Sequence, residues 1–206
     1  MNEIYGDGIK DIIFGRANYP PKVRNYLKQN GNNQIVGLKL YRAPIESSIK
    51  TLLNYATLGQ IERNVKNLGY DNIYHLALHF TLDNGNQGLL EKNHVIEINN
   101  YKHKEDSEEI DVYFHNYLTL NILMNNASKL YKNITEMNDY DIKNNNCQRF
   151  IYSILEGSKL LTDKNYQFIM QNADKLLQKT GKLKTLSDIL TTTANRLDVA
   201  VFGAQL

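Results

Sequence analysis

"NIYHLALHFTLDNGNQGLLEKNHVIEI" (residues 72–98) carries two β-rich runs on either side of Asp83-Asn84-Gly85-Asn86. Asn-Gly is the favoured centre of a two-residue type I′ turn, so the stretch reads as an antiparallel hairpin. With Asn84 and Gly85 as the turn, Asp83 pairs with Asn86. His75 then lies directly opposite His94, with β-carbons about 5 Å apart on one face of the sheet. His79 shares that face about 13 Å further along the strand, too far from His75 for the two to grip one metal ion. Glu91 and Asn93 fall on the other face, beside Leu89 and Val95. Polar residues inside an apolar alternation are unusual, and a one-residue change in the loop brings them round to the histidines.

Upstream of the hairpin, "YPPKVRNYLKQNG" (19–31) predicts a short helix, with proline at its start and Gly31 beyond its end. "NQIVGLKLYRAP" (33–44) alternates Val36, Leu38 and Leu40 with Gly37, Lys39 and Tyr41, the pattern of a half-buried strand. "APIESSIKTLLNYATLG" (43–59) puts Ile45, Ile49, Leu52 and Leu53 on one helical face, and a weaker helical piece follows in "IERNVKNLG". Downstream lies an acidic loop, "YKHKEDSEEID" (101–111). Helical patterns then occupy 117–133, 147–157, 163–181 and 186–202. Strands in the first half and helices in the second predict an α+β fold, a small antiparallel sheet with helices packed on one side. Residues 1–160 form the α+β domain in this reading, and 161–206 a C-terminal helical extension packed on it.

The 206 residues are 42% hydrophobic and 22% charged, ordinary values for a globular domain with a substantial core. The net charge is +2, with lysines scattered among acidic residues. That is no basic stripe, so nucleic acid is not an expected partner. A single cysteine excludes an internal disulfide framework and a cysteine-rich zinc site, and fits a reducing, intracellular compartment. No secretory signal is visible at the N-terminus, and no run approaches the roughly 20 apolar residues of a membrane span. The apolar tail "LDVAVFGAQL" is expected to dock on the body or on a protein partner. Abundant asparagine along the whole chain suggests a codon bias, not a functional tract.

The lone cysteine opens "NNNCQRFIYSILEG" (144–157). Phe150, Ile151, Ile154 and Leu155 follow it at three, four, seven and eight residues, so Cys147 starts the core-facing stripe of a helix. Asn145 or Asn146 serves as N-cap, and Gly157 closes the helix. A thiol in the first turn meets unpaired N–H groups and the positive end of the helix dipole. Both favour the nucleophilic thiolate. The bland alternative is a buried, inert cysteine, which is the usual fate of a lone one. What separates the two is a base. Five histidines are present. His103 and His115 flank the charged loop and are expected in solvent, leaving His75 and His94 facing the helix. His75, His94 and Cys147 also raise the reading of a metal-binding module, although three ligands are a weak set.

A histidine on a strand, a second polar residue on the next strand, and then "NCQRF" (146–150) before an apolar helix resembles the circularly permuted NlpC/P60 papain-like superfamily. That group includes the lecithin:retinol acyltransferase-like enzymes, whose hallmark is Asn-Cys-Glu-His-Phe. The likeness covers roughly residues 72–157. "LEKNHVIEI" together with "NNNCQ" is similar to a virus-associated branch of the group. The resemblance implies Cys147 as nucleophile, His75 as base and His94 as the group that fixes the imidazole. Glu91 and Asn93 are alternative orienting residues, and Asn146 and Gln148 are candidates for orienting or oxyanion contacts. It implies a cysteine-dependent hydrolase (thiol protease) or acyltransferase that needs no cofactor or metal. Such an enzyme acts on an ester, amide or isopeptide bond through an acyl-thioester. The gap from His75 to His94 exceeds the family's spacing. Lipid-acting members often carry a membrane-anchoring helix that is not read here, which favours a peptide over a lipid acyl substrate. The rival reading is a non-catalytic structural or virion-associated protein with the same fold.

Overall fold

Leu38 and Leu40 give the strand at residues 35–44 an apolar side, and that strand sits inside a five-stranded sheet. The computed structural model describes residues 19–45, 60–67, 74–139 and 145–170. In chain order the elements are α1 (Pro21–Asn30), β1 (Ile35–Pro44), α2 (Gln60–Asn67), β2 (Tyr74–Leu82), β3 (Gln87–Lys92), β4 (Ile96–Asn100) and β5 (Glu108–Asp111). They continue with α3 (Leu120–Ser128), α4 (Ile134–Asn138), α5 (Cys147–Gly157) and α6 (Asp163–Ile169). The strand order is β4-β3-β2-β1-β5, and every neighbouring pair is antiparallel. The fold is α+β. Ala43 and Pro44 belong to β1, and the helix expected between Pro44 and Gly59, most of the C-terminal helical extension and the apolar tail lie outside the described residues.

One face of the sheet is the core. Leu38 and Leu40 of β1, Leu76, Leu78, Phe80 and Leu82 of β2, and Leu90 of β3 pack there against α1, α3 and α5. β1 carries an irregularity between Ile35 and Gly37, which buries Ile35 and leaves Val36 57% exposed. The expected alternation therefore holds only from Leu38 to Leu40, because Tyr41 and Ala43 are buried on the opposite face with Ala77 and Leu89. The acidic loop contains a strand that the sequence reading did not foresee. β5 has no apolar alternation; it is laddered to β1 from Lys39↔Asp111 to Arg42↔Glu108, with the ion pairs Arg42–Glu108 at 2.7 Å and Lys39–Glu109 at 3.0 Å alongside.

The hairpin is where structure and expectation part. Its pairs run from Ala77↔Glu91 to Thr81↔Gln87, one residue away from the expected register. The Leu82 N–H donates to the Asn86 carbonyl at 2.9 Å, and the Gly85 N–H to the Leu82 carbonyl at 2.9 Å. The loop is therefore three residues, Asp83 to Gly85, and Gly85 takes φ +84°, the left-handed position that such a loop assigns to glycine. Asn84 favours this form because its Oδ1 accepts the Asn86 N–H at 3.0 Å. A slip of one residue exchanges the faces of a strand. Glu91 accordingly joins His75, and Lys92 turns into the core.

A second correction concerns His94. Residues 87–98 are not one strand: they break at Asn93–Val95 into β3 and β4, where the Asn93 N–H donates to the Val95 carbonyl at 3.0 Å. His94 sits in that turn and does not stand opposite His75.

α5 is held by its own stripe. Phe150, Ile151, Ile154 and Leu155 are all fully buried. Burial of each is worth roughly 1.5–3 kcal/mol. An N-cap bond adds only about 1 kcal/mol. Packing therefore holds the helix, and the cap decides where it begins. Gly157 belongs to the helix and does not terminate it as expected; a β-carbon there would come within 2.5 Å of the Asn126 carbonyl oxygen on α3. Lys159, at φ +57°, turns the chain away. Among the described residues no helix is long and apolar enough to cross a membrane.

Candidate active site

Cys147 is the first residue of α5. Asn146 is the N-cap, and its Oδ1 accepts the Arg149 N–H at 3.1 Å. With the cap one residue before it, the cysteine falls where helix N–H groups lack partners within the helix. The sulfur receives backbone N–H donors from Gln148 and from Leu76 of β2, and it is hydrogen-bonded to the His75 side chain. Leu76 lies one residue beyond the last β2–β3 pair. Cys147 as a residue is partly exposed.

His75 stands beside Leu76 near the start of β2. Its Nε2 is 2.8 Å from Glu91 Oε2, which leaves Nδ1 for the sulfur. The other carboxylate oxygen of Glu91 accepts Asn99 Nδ2 at 2.8 Å. That amide also donates to Glu97 Oε2 at 3.0 Å, and its own oxygen accepts Lys22 Nζ at 2.7 Å. Each atom of the Asn99 amide is thus committed, and Glu91 is oriented on both sides. The order is Cys147, His75, Glu91, Asn99.

The electrostatics follow from these contacts. Burial pushes the Cys147 thiol up. The bond to His75, the imidazolium charge and the Leu76 and Gln148 N–H groups act against it, and the net shift is downward. Burial would lower His75, but the bonds to Cys147 and Glu91 and their negative charges raise it to about 10. Glu91 is pushed up by burial and, more strongly, down by His75, Asn99 and Lys104, so its carboxyl ends below the usual range. The arrangement favours a thiolate–imidazolium pair backed by a carboxylate.

No family model, no curated protein and no solved structure matches this chain. Geometry alone carries the reading of the site.

Of the residues the sequence singled out, the structure brings together Cys147, His75 and Glu91. His94 is in the β3–β4 turn. Asn93 points its amide at Glu97 Oε2, 2.9 Å away. Asn146 caps the helix, and Gln148 contributes its backbone N–H. Among the described residues no group of three or more His, Cys, Asp or Glu side chains is placed to hold a metal ion. Two participants were missed, Asn99 and Lys92. A lysine two residues after Leu90, on the strand's apolar alternation, was the available signal for the second.

Proposed function

We propose that the chain is a cysteine-dependent hydrolase or acyltransferase of papain-like, permuted organisation, acting on an amide, isopeptide or ester carbonyl. The observation that carries this is the hydrogen-bonded series Cys147–His75–Glu91, with the thiol at the start of a helix. The thiolate attacks the carbonyl carbon and forms a C–S bond, while the carbonyl π pair moves onto oxygen. With the Gln148 N–H on the sulfur and the Arg149 N–H on the cap, the Cys147 N–H is the backbone donor at the start of α5 for that oxyanion. On collapse the C–N or C–O bond breaks, and the leaving group takes the proton from the His75 imidazolium. Water, or an acceptor nucleophile, then loses its proton to His75 and attacks the thioester. The C–S bond breaks, and the thiolate–imidazolium pair is restored. Glu91 keeps the ring oriented and its charge compensated throughout, as the third member of such a series does.

The test is iodoacetamide labelling followed by peptide mass spectrometry. Rapid modification of Cys147 well below about pH 8, slowed strongly in His75→Ala, is the expected result. A thiol that titrates like a free cysteine, and is indifferent to His75, would end the proposal.

A further inference from the structure

Lys92 is fully buried, a rare condition for lysine, and it lies next in sequence to Glu91. Its Nζ donates to the carbonyls of Met137 at 2.7 Å and Asp139 at 2.6 Å, and to Asn145 Oδ1 at 2.9 Å. All three ammonium protons are therefore in use, which marks the group as a cation and not as a base. The Asn145 amide in turn donates to the carbonyls of Glu136 and Asp139. Together they satisfy carbonyls at the C-terminal end of α4, where a helix leaves acceptors without partners and favours positive charge. They also fasten residue 139 to residue 145, two residues before the nucleophile.

A plain structural role is a poor explanation for this charge. Burying an ammonium costs several kcal/mol, and an apolar side chain of similar volume is often as good or better for stability. Burial lowers Lys92 to about 8, against the opposing pull of Asp139 and Cys147, so the ammonium is charged at neutral pH. Two neighbouring residues of β3 thus serve two faces of the sheet. Glu91 holds the imidazole on one, and Lys92 holds the approach to the nucleophile on the other.

We infer that Lys92 is a positioning residue for Cys147, tying the chain before the nucleophile to the strand that carries Glu91. The inference rests on the reading of Cys147 as a nucleophile. Its test is the pH profile of Cys147 alkylation by iodoacetamide in wild type, Lys92→Met and Asn145→Ala, with folding checked by circular dichroism and thermal melting. In folded Lys92→Met the midpoint rises by about one pH unit, giving labelling about tenfold slower on the acid side. Asn145→Ala keeps the ammonium but removes one of its acceptors, and slows acid-side labelling about threefold. A folded Lys92→Met with the wild-type profile overturns the inference alone. If Lys92→Met does not fold, an unchanged Asn145→Ala profile does the same. An ordinary thiol profile in the wild type itself overturns the functional reading, and this inference with it.

Discussion

β2 presents two histidine–carboxylate pairs on one face, four residues apart. His75 meets Glu91 at 2.8 Å, and His79 meets Glu109 at 3.0 Å. As pairs they are nearly the same object. Their surroundings differ. His79 has 9% of its side chain exposed, lies stacked on Tyr101 at 3.7 Å, and approaches Gln87 Oε1 with its second nitrogen at 3.4 Å. His75 has 27% of its side chain exposed and turns its second nitrogen to a thiol at the start of a helix. A histidine beside a carboxylate is thus a local packing solution that a sheet can adopt more than once. What distinguishes the first pair is the helix end delivered to it and the greater exposure of its imidazole.

The largest effects should separate the two pairs most sharply. Cys147→Ala is expected to abolish alkylation and turnover, and His75→Ala to lower turnover by about 10²–10⁴-fold with the fold retained. His79→Ala is expected to change turnover less than about twofold while lowering stability by about 1 kcal/mol, read from chemical denaturation. Equal losses from the two histidine variants would erase the distinction between the pairs.

Glu91→Gln keeps the size but removes the charge facing His75, and is expected to cost about 10- to 100-fold in kcat. Glu109→Gln at the second pair should cost none. A smaller effect is predicted in the pH dependence of stability. Because His75 is raised, its contribution is complete below its ordinary value of 6.5 and is lost as pH rises through about 10. The gap in Tm between wild type and His75→Ala should therefore narrow across that range. A gap that widens with rising pH would contradict the protonated imidazole.

The sequence made the α+β class legible because periodicity reports which side of an element is apolar, and the long elements β1, β2 and α5 have clear sides. It named Cys147 and His75 for the same reason. The side-chain partner of His75 was misplaced because loop length is set by details that periodicity does not record. Asn84-Gly85 satisfies a two-residue turn in isolation, and the Asn84 side chain bonded to the Asn86 N–H selects the three-residue form instead. That turn puts Glu91 on the face of His75, and the break at Asn93–Val95 separately removes His94 from it. β5 was hidden because ion pairs to β1, not apolar alternation, mark its place. Lys92 was hidden because a lysine reads as solvated unless its acceptors are known, and those lie about 45 to 55 residues further along the chain.

The contact between the Leu76 N–H and the Cys147 sulfur gives the molecule a built-in gauge of its own reactivity. A backbone amide that donates to sulfur feels the full change when a neutral thiol becomes an anion. The Leu76 proton resonance should move downfield as the thiolate forms, and it should do so without any reagent touching the cysteine. The charge state of the nucleophile can thus be followed by magnetic resonance from inside the sheet, in the resting protein.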